Sequence, residues 1–212
     1  MKRFICSLAL VALWAASALA AGMPAGLTRE NPLLVDAKGH SVTFLAEVNG
    51  KFFYTPTRHA AVFKGGNYGD MAVLRGLVSP KQFHDALVSI GAKPGENMTP
   101  DNMTTTHVQG DVLDVTVSYD GAPKAYSLNE VIKDSNGKPI DIRFGGNLPL
   151  STTKNTGCLI CLDSCPVGIA SNATYTYGAV EKRNEVGFTG IKEHLPADGQ
   201  LVAVTVTVKP AK

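Results

Sequence analysis

Three cysteines stand close together in the string Asn155-Thr-Gly-Cys158-Leu-Ile-Cys161-Leu-Asp-Ser-Cys165-Pro166. Thiolates are nucleophiles, redox partners and soft metal ligands, and sulfurs so near in sequence can meet at one point. Four chemistries compete. Covalent haem attachment needs His directly after Cys-x-x-Cys, and Leu162 stands there instead, which removes it. A thioredoxin-like couple at Cys158 and Cys161 lacks the apolar strand that should lead into such a motif. It also leaves Cys165 unexplained unless that thiol resolves a mixed disulfide. An iron–sulfur site has better support, because bacterial ferredoxins use C-x2-C-x2-C-x3-C-P, and Cys158, Cys161 and Cys165-Pro166 match its last three cysteines and its proline. Asn155 falls where the first cysteine of that run belongs. A zinc or copper(I) site of three thiolates needs no cluster assembly outside the cell. One disulfide with a spare thiol is the structural alternative, since free cysteines are common in cores.

Further ligands come from a short set. Asp163 lies inside the cysteine run, Asn155 occupies its vacant first position, and His59 follows Thr57-Arg58 at the start of an apparent strand. His84 flanks the apolar face of a helix and needs no chemistry to explain it. His107, Met98 and Met103 are spread over a polar loop, and His40 and His194 sit in turn contexts. No Gly-x-Ser-x-Gly, His-Glu-x-x-His or phosphate-binding Gly-rich loop is present, so hydrolase and nucleotide chemistry find no support.

The chain around the cysteines reads as exported. Lys2 and Arg3 precede an almost uninterrupted apolar run from Phe4 to Ala16, and Ala18-Leu19-Ala20 supplies a small-x-small cleavage site, so residues 1–20 are expected to be a signal peptide. Its removal takes away Cys6 and the single Trp, and lowers the formal charge from +2 to zero. A neutral chain has no basic stripe for nucleic acid, and no internal apolar run reaches the length of a membrane span. Three cysteines then remain in a compartment where thiols tend to oxidise, and their odd number leaves at least one outside any internal disulfide.

The elements that must position the cysteines are mainly strands. Val42, Phe44, Ala46 and Val48 alternate with Thr43, Leu45 and Glu47, and Val202, Val204, Val206 and Val208 share one face of the last strand. Asn49-Gly50, Asp120-Gly121 and Asn136-Gly137 each read as a hairpin turn. One helix is expected over about 80–90, with Ser79 as N-cap, Pro80 at its first position and Gly91 as its stop. Residues 96–107 read as loop, and Tyr175 and Tyr177 as one face of a strand. A short helix or loop over about 156–165 would carry the cysteines, on one stripe if helical. The expectation is a single β-rich domain over residues 21–212, built as a two-sheet sandwich.

Four strings, His59-Ala-Ala-Val-Phe-Lys-Gly-Gly-Asn67, Ile90-Gly-Ala-Lys-Pro-Gly95, Ile140-Asp-Ile-Arg-Phe-Gly-Gly-Asn147 and Asn155 through Val180, resemble the YdjY family of exported bacterial proteins. The resemblance implies a periplasmic protein with an iron–sulfur or redox role and a ferredoxin-like cysteine pattern. Together these readings lead to an exported cysteine module that binds an iron–sulfur cluster, zinc or copper(I) through Cys158, Cys161 and Cys165. Its work would be electron transfer or thiol–metal handling beside a redox or membrane-protein partner, rather than stand-alone catalysis. The alternatives are a periplasmic accessory protein with one structural disulfide, and a thiol oxidoreductase.

Overall fold

The computed structural model describes residues 22–209, so the expected signal peptide lies outside the described residues. Along the chain come β1 (Leu33–Asp36), β2 (Ser41–Val48), β3 (His59–Phe63), β4 (Leu74–Gly76) and the helix α1 (Pro80–Ser89). There follow β5 (Val112–Ser118), β6 (Tyr126–Ser127), α2 (Leu128–Val131), β7 (Ile132–Asp134), β8 (Ile142–Phe144) and α3 (Leu148–Lys154). The cysteines open the last part, with β9 (Cys158–Cys161), β10 (Ala170–Asn172), β11 (Phe188–Gly190) and β12 (Leu201–Val208).

Burial follows the alternation read from the sequence. Val42, Phe44, Ala46 and Val48 of β2 and Val202, Val204 and Val206 of β12 all enter the main core. Leu45 and Ala203 point the other way and are covered by Leu27 of the N-terminal segment. The two strands pair antiparallel over almost their whole length, and β12 pairs with β5 on its other side.

The sheet is not one half of a sandwich. Its strands run β2-β12-β5-β8-β10-β9-β3-β4, and β4 returns to β2 to close an eight-stranded barrel, with β1 and β6 attached outside the ring. Closure depends on how β2 uses one edge. Residues 41–44 pair with β1, whereas Ala46, Glu47 and Val48 pair with Gly76, Arg75 and Leu74. Alternation reports which face of a strand is buried and is silent on whether two edges meet. A barrel and a sandwich therefore look alike in the sequence.

Two of the three hairpins are also corrected. Asn49 is extended and Gly50 begins a 3-10 turn over Gly50–Phe53, so the chain does not fold straight back onto β2. Asn136-Gly137 is a turn, but β7 pairs with β11 and β8 with β5 and β10, so it joins no hairpin. At Asp120-Gly121 the expectation holds, since β5 and β6 pair across that turn. Tyr175 and Tyr177 lie in turns after β10, and the buried Tyr175 hydroxyl donates to Asp134 Oδ2 at 2.8 Å.

Helix α1 has the expected ends. Ser79 and Gln82 form a reciprocal capping box, and Phe83 meets Phe44 edge-on at 5.3 Å. Among the described residues no helix is long and apolar enough to cross a membrane. Ser79→Ala should remove the cap and lower stability by about 1 kcal/mol in urea unfolding, with the barrel intact by circular dichroism. A loss below the error of the measurement would contradict the role given to Ser79.

Candidate functional site

The cysteine segment is held at both ends before its chemistry begins. Helix α3 stops at Asn155, which takes a left-handed conformation (φ 46°), and Gly157 follows with φ 82°. The short helix or loop expected over about 156–165 is corrected in its first half, where Cys158–Cys161 is the strand β9, while residues 162–165 are irregular. The two Gly-Gly-Asn strings act here as clamps. Gly66 lies so close to Gly157 that a Cβ on it would come within 2.5 Å of the Gly157 Cα, and the Asn67 N–H donates to the Asn155 carbonyl at 2.9 Å. Downstream, the Asn147 side-chain amide donates to the carbonyls of Cys165 (3.0 Å) and Gly168 (3.2 Å).

In a regular strand, residues three apart face opposite sides of the sheet. Cys158 and Cys161 nevertheless share one buried cluster with Cys165. Pairing with β3 explains this. His59 stands opposite Cys161, Ala61 opposite Ile160 and Val62 opposite Cys158, so β3 carries one extra residue at Ala60 and β9 one at Leu159. Each bulge flips the parity once and re-aims the side chains beyond it. Cys158, Cys161 and His59 thus converge, with His59 Nδ1 at 3.8 Å from Cys158 Sγ and 3.9 Å from Cys161 Sγ. The donor atoms of these three residues all lie within 4.8 Å of one another. Gly168 leaves room for them, since a Cβ there would stand 3.1 Å from Cys161 Sγ.

All three thiols are free and buried, so the single disulfide of the structural alternative is not formed. Cys165 lies in the tight connection between the parallel strands β9 and β10. Hydrogen bonds from Cys158 and Cys161 hold its pKa well below the ordinary thiol value, helped by the Arg58 charge and the Val167 N–H. The same contacts act in reverse on the donors. Cys158 is drawn down by Cys161 but raised more by Cys165 and by burial, to about 12, and Cys161 is also raised. Burial, then Arg58, lowers His59 to about 4, which leaves the imidazole neutral and able to ligate a metal.

Arg58 is the charged member that the sequence did not single out. Its guanidinium meets Asp163 Oδ1 at 2.6 Å and lies 4.2 Å from the Tyr177 ring centroid. The second Asp163 oxygen accepts the Gly178 N–H at 2.9 Å. Asp163 is therefore engaged by protein groups on both oxygens. Asn155 is exposed at the end of α3, its side chain directed to Asn67. Of Asp163, Asn155 and His59, only His59 is brought to the thiols. A cavity of about 340 Å³ opens over Cys158 and Cys165, and Arg58, Tyr177 and Met71 are among its walls. No spacing rule connects Arg58 or Met71 to the cysteines, because the barrel makes that contact.

The family model described as the YdjY domain matches residues 33–207. The chain belongs to the YdjY family. It is 57% identical over 183 residues to a protein of Escherichia coli (strain K12) named "Uncharacterized protein YdjY", a match covering 86% of this chain and 81% of that relative. No solved structure matches the chain. The resemblance seen in the four strings is thus confirmed, and the YdjY match spans every residue of the cluster from Arg58 to Tyr177.

The buried imidazole carries a pH signature. Histidine ordinarily titrates near 6.5, and His59 does so near 4 in the folded chain. Between those values only the unfolded chain binds this proton. The contribution is complete above pH 6.5 and is lost as pH falls toward 4, amounting to about 3 kcal/mol. Asp163 runs the opposite way. Burial raises its carboxyl from 3.8 to about 6, so its contribution is present at low pH and lost as pH rises through 6. In the metal-free reduced protein, His59→Gln should therefore gain about 3 kcal/mol on wild type between pH 6.5 and 4, in urea unfolding at each pH. A difference that stays constant over that range would contradict the neutral buried imidazole.

Proposed function

We propose that the protein is an exported, periplasmic module that binds one soft metal ion through Cys158, Cys161 and His59, with Cys165 beside them. Its work is electron transfer or thiol–metal handling with a redox or membrane-protein partner. The observation that carries this reading is the convergence of one imidazole nitrogen and two sulfurs within 4.8 Å at a buried point. Tetrahedral or trigonal ligation with metal–sulfur bonds of about 2.3 Å and metal–nitrogen bonds of about 2.0 Å places neighbouring donors roughly 3.5–4 Å apart. The two sulfur–nitrogen separations, 3.8 and 3.9 Å, fall in that range. Neutral imidazole and thiolate are the donors that zinc and copper(I) favour.

The ferredoxin-like spacing supports a second reading, an iron–sulfur cluster on Cys158, Cys161 and Cys165. Its cysteines bind different irons, so their sulfurs would have to stand wider apart than ligands sharing one ion. The single-ion reading fits the two sulfur–nitrogen separations of 3.8 and 3.9 Å.

Anaerobic purification followed by metal analysis and an absorption spectrum separates the two. The single-ion reading expects about one equivalent of zinc or copper, no visible iron–sulfide absorption, and at least a tenfold loss of affinity in Cys161→Ser. Iron with acid-labile sulfide would favour the cluster. Substoichiometric iron, zinc and copper would remove both.

A further inference from the structure

The donors in and around the cavity are graded from surface to interior, and this arrangement extends the soft-metal reading on which it rests. Cys158 and Cys165 line the cavity beside His59, while Cys161 is not part of its wall. At the mouth stand Met71, 43% exposed, and Tyr68, 40% exposed. These are two of the five large hydrophobic side chains exposed among the described residues, and Met71 thereby presents a solvated thioether on the wall that Cys158 and Cys165 share. Met71 is also tied to the buried ligand. The Thr57 hydroxyl donates to the Met71 carbonyl at 2.5 Å and accepts the His59 N–H at 3.1 Å, so one side chain fixes the backbone of both.

Donor chemistry distinguishes the ions. A neutral thioether is a good ligand for copper(I) and a poor one for zinc(II), and copper(I) is content with two or three donors where zinc takes four. The compact donor set here has three members, His59, Cys158 and Cys161.

We propose that the cavity is an entry and exit route for copper(I), and that Met71 is its outer ligand, receiving the ion and passing it to Cys158 and His59. The step is a ligand exchange. The bond from copper to the Met71 sulfur breaks as bonds to Cys158 Sγ and His59 Nδ1 form, and the Cys158 thiol proton passes to water in the cavity. Copper enters and leaves as copper(I), so no electron is transferred.

The test is kinetic. The reduced protein is loaded anaerobically with one equivalent of copper(I) and challenged with excess bathocuproine disulfonate, and uptake is followed in reverse from the same chelate. Met71→Leu, similar in volume but without sulfur, should slow release and uptake by about fivefold each and leave the equilibrium affinity within about twofold of wild type. Zinc exchange with a chromogenic chelator should be unchanged in M71L, which a mere narrowing of the cavity would not allow. Met23→Leu, at a different cavity, should behave as wild type. Wild-type copper rates in M71L, equal slowing of both metals, or a fall in affinity without a change in uptake would each overturn the proposal. Wild-type protein that binds zinc or iron but no copper(I) would overturn it while leaving the metal site standing. Protein that binds no metal would remove both.

Discussion

Side chains along a strand alternate, and a three-residue spacing between cysteines works against any shared site on a strand. The structure depends on how this parity is broken. One extra residue on β3 and one on β9 let the two strands stay paired while His59, Cys158 and Cys161 turn to the same side. Each bulge leaves some backbone unpaired, and the surrounding barrel must hold it in place. The clamps at Gly66 and Asn147 do so from both ends, fixing the segment before Cys158 and the one after Cys165.

The second constraint is electrostatic. Arg58 is buried one residue before His59 and faces Asp163, itself placed between Cys161 and Cys165. Removing one partner of such a pair costs about 3–5 kcal/mol, because the other charge is left in a poorly solvating interior. The pair therefore ties the start of β3 to the loop that carries Cys165. Its positive member favours thiolate at Cys165, while the same charge helps to keep His59 unprotonated. One guanidinium thus acts on the Cys165 sulfur and on the His59 imidazole alike.

Much of this was legible in the sequence, for physical reasons that also set its limits. The valine alternation of β12 and the capping signals of α1 are local and survive into the structure. The clustering of Cys158, Cys161 and Cys165 was visible because the three lie in one short segment. Closure of the barrel was not, since it rests on one edge of β2 meeting β4, and no local pattern encodes an edge-to-edge contact. The short helix or loop expected over about 156–165 missed the strand β9, because its place is set by pairing with β3, a contact distant in sequence. His59 stands out in the sequence by its type alone, and its position opposite Cys161 comes from long-range pairing. Arg58 and Met71 had no signal at all, being brought to the cysteines only by the return of β3 and the segment after it.

The central claim is that the bulged strands form a site for a single soft ion. X-ray absorption at the metal edge of the loaded protein tests it most directly. A single-ion site requires two or three sulfurs at about 2.3 Å and one nitrogen at about 2.0 Å, with no metal–metal vector, and loss of the nitrogen in His59→Ala. A metal–metal vector, or a shell of oxygen and nitrogen without sulfur, would contradict it.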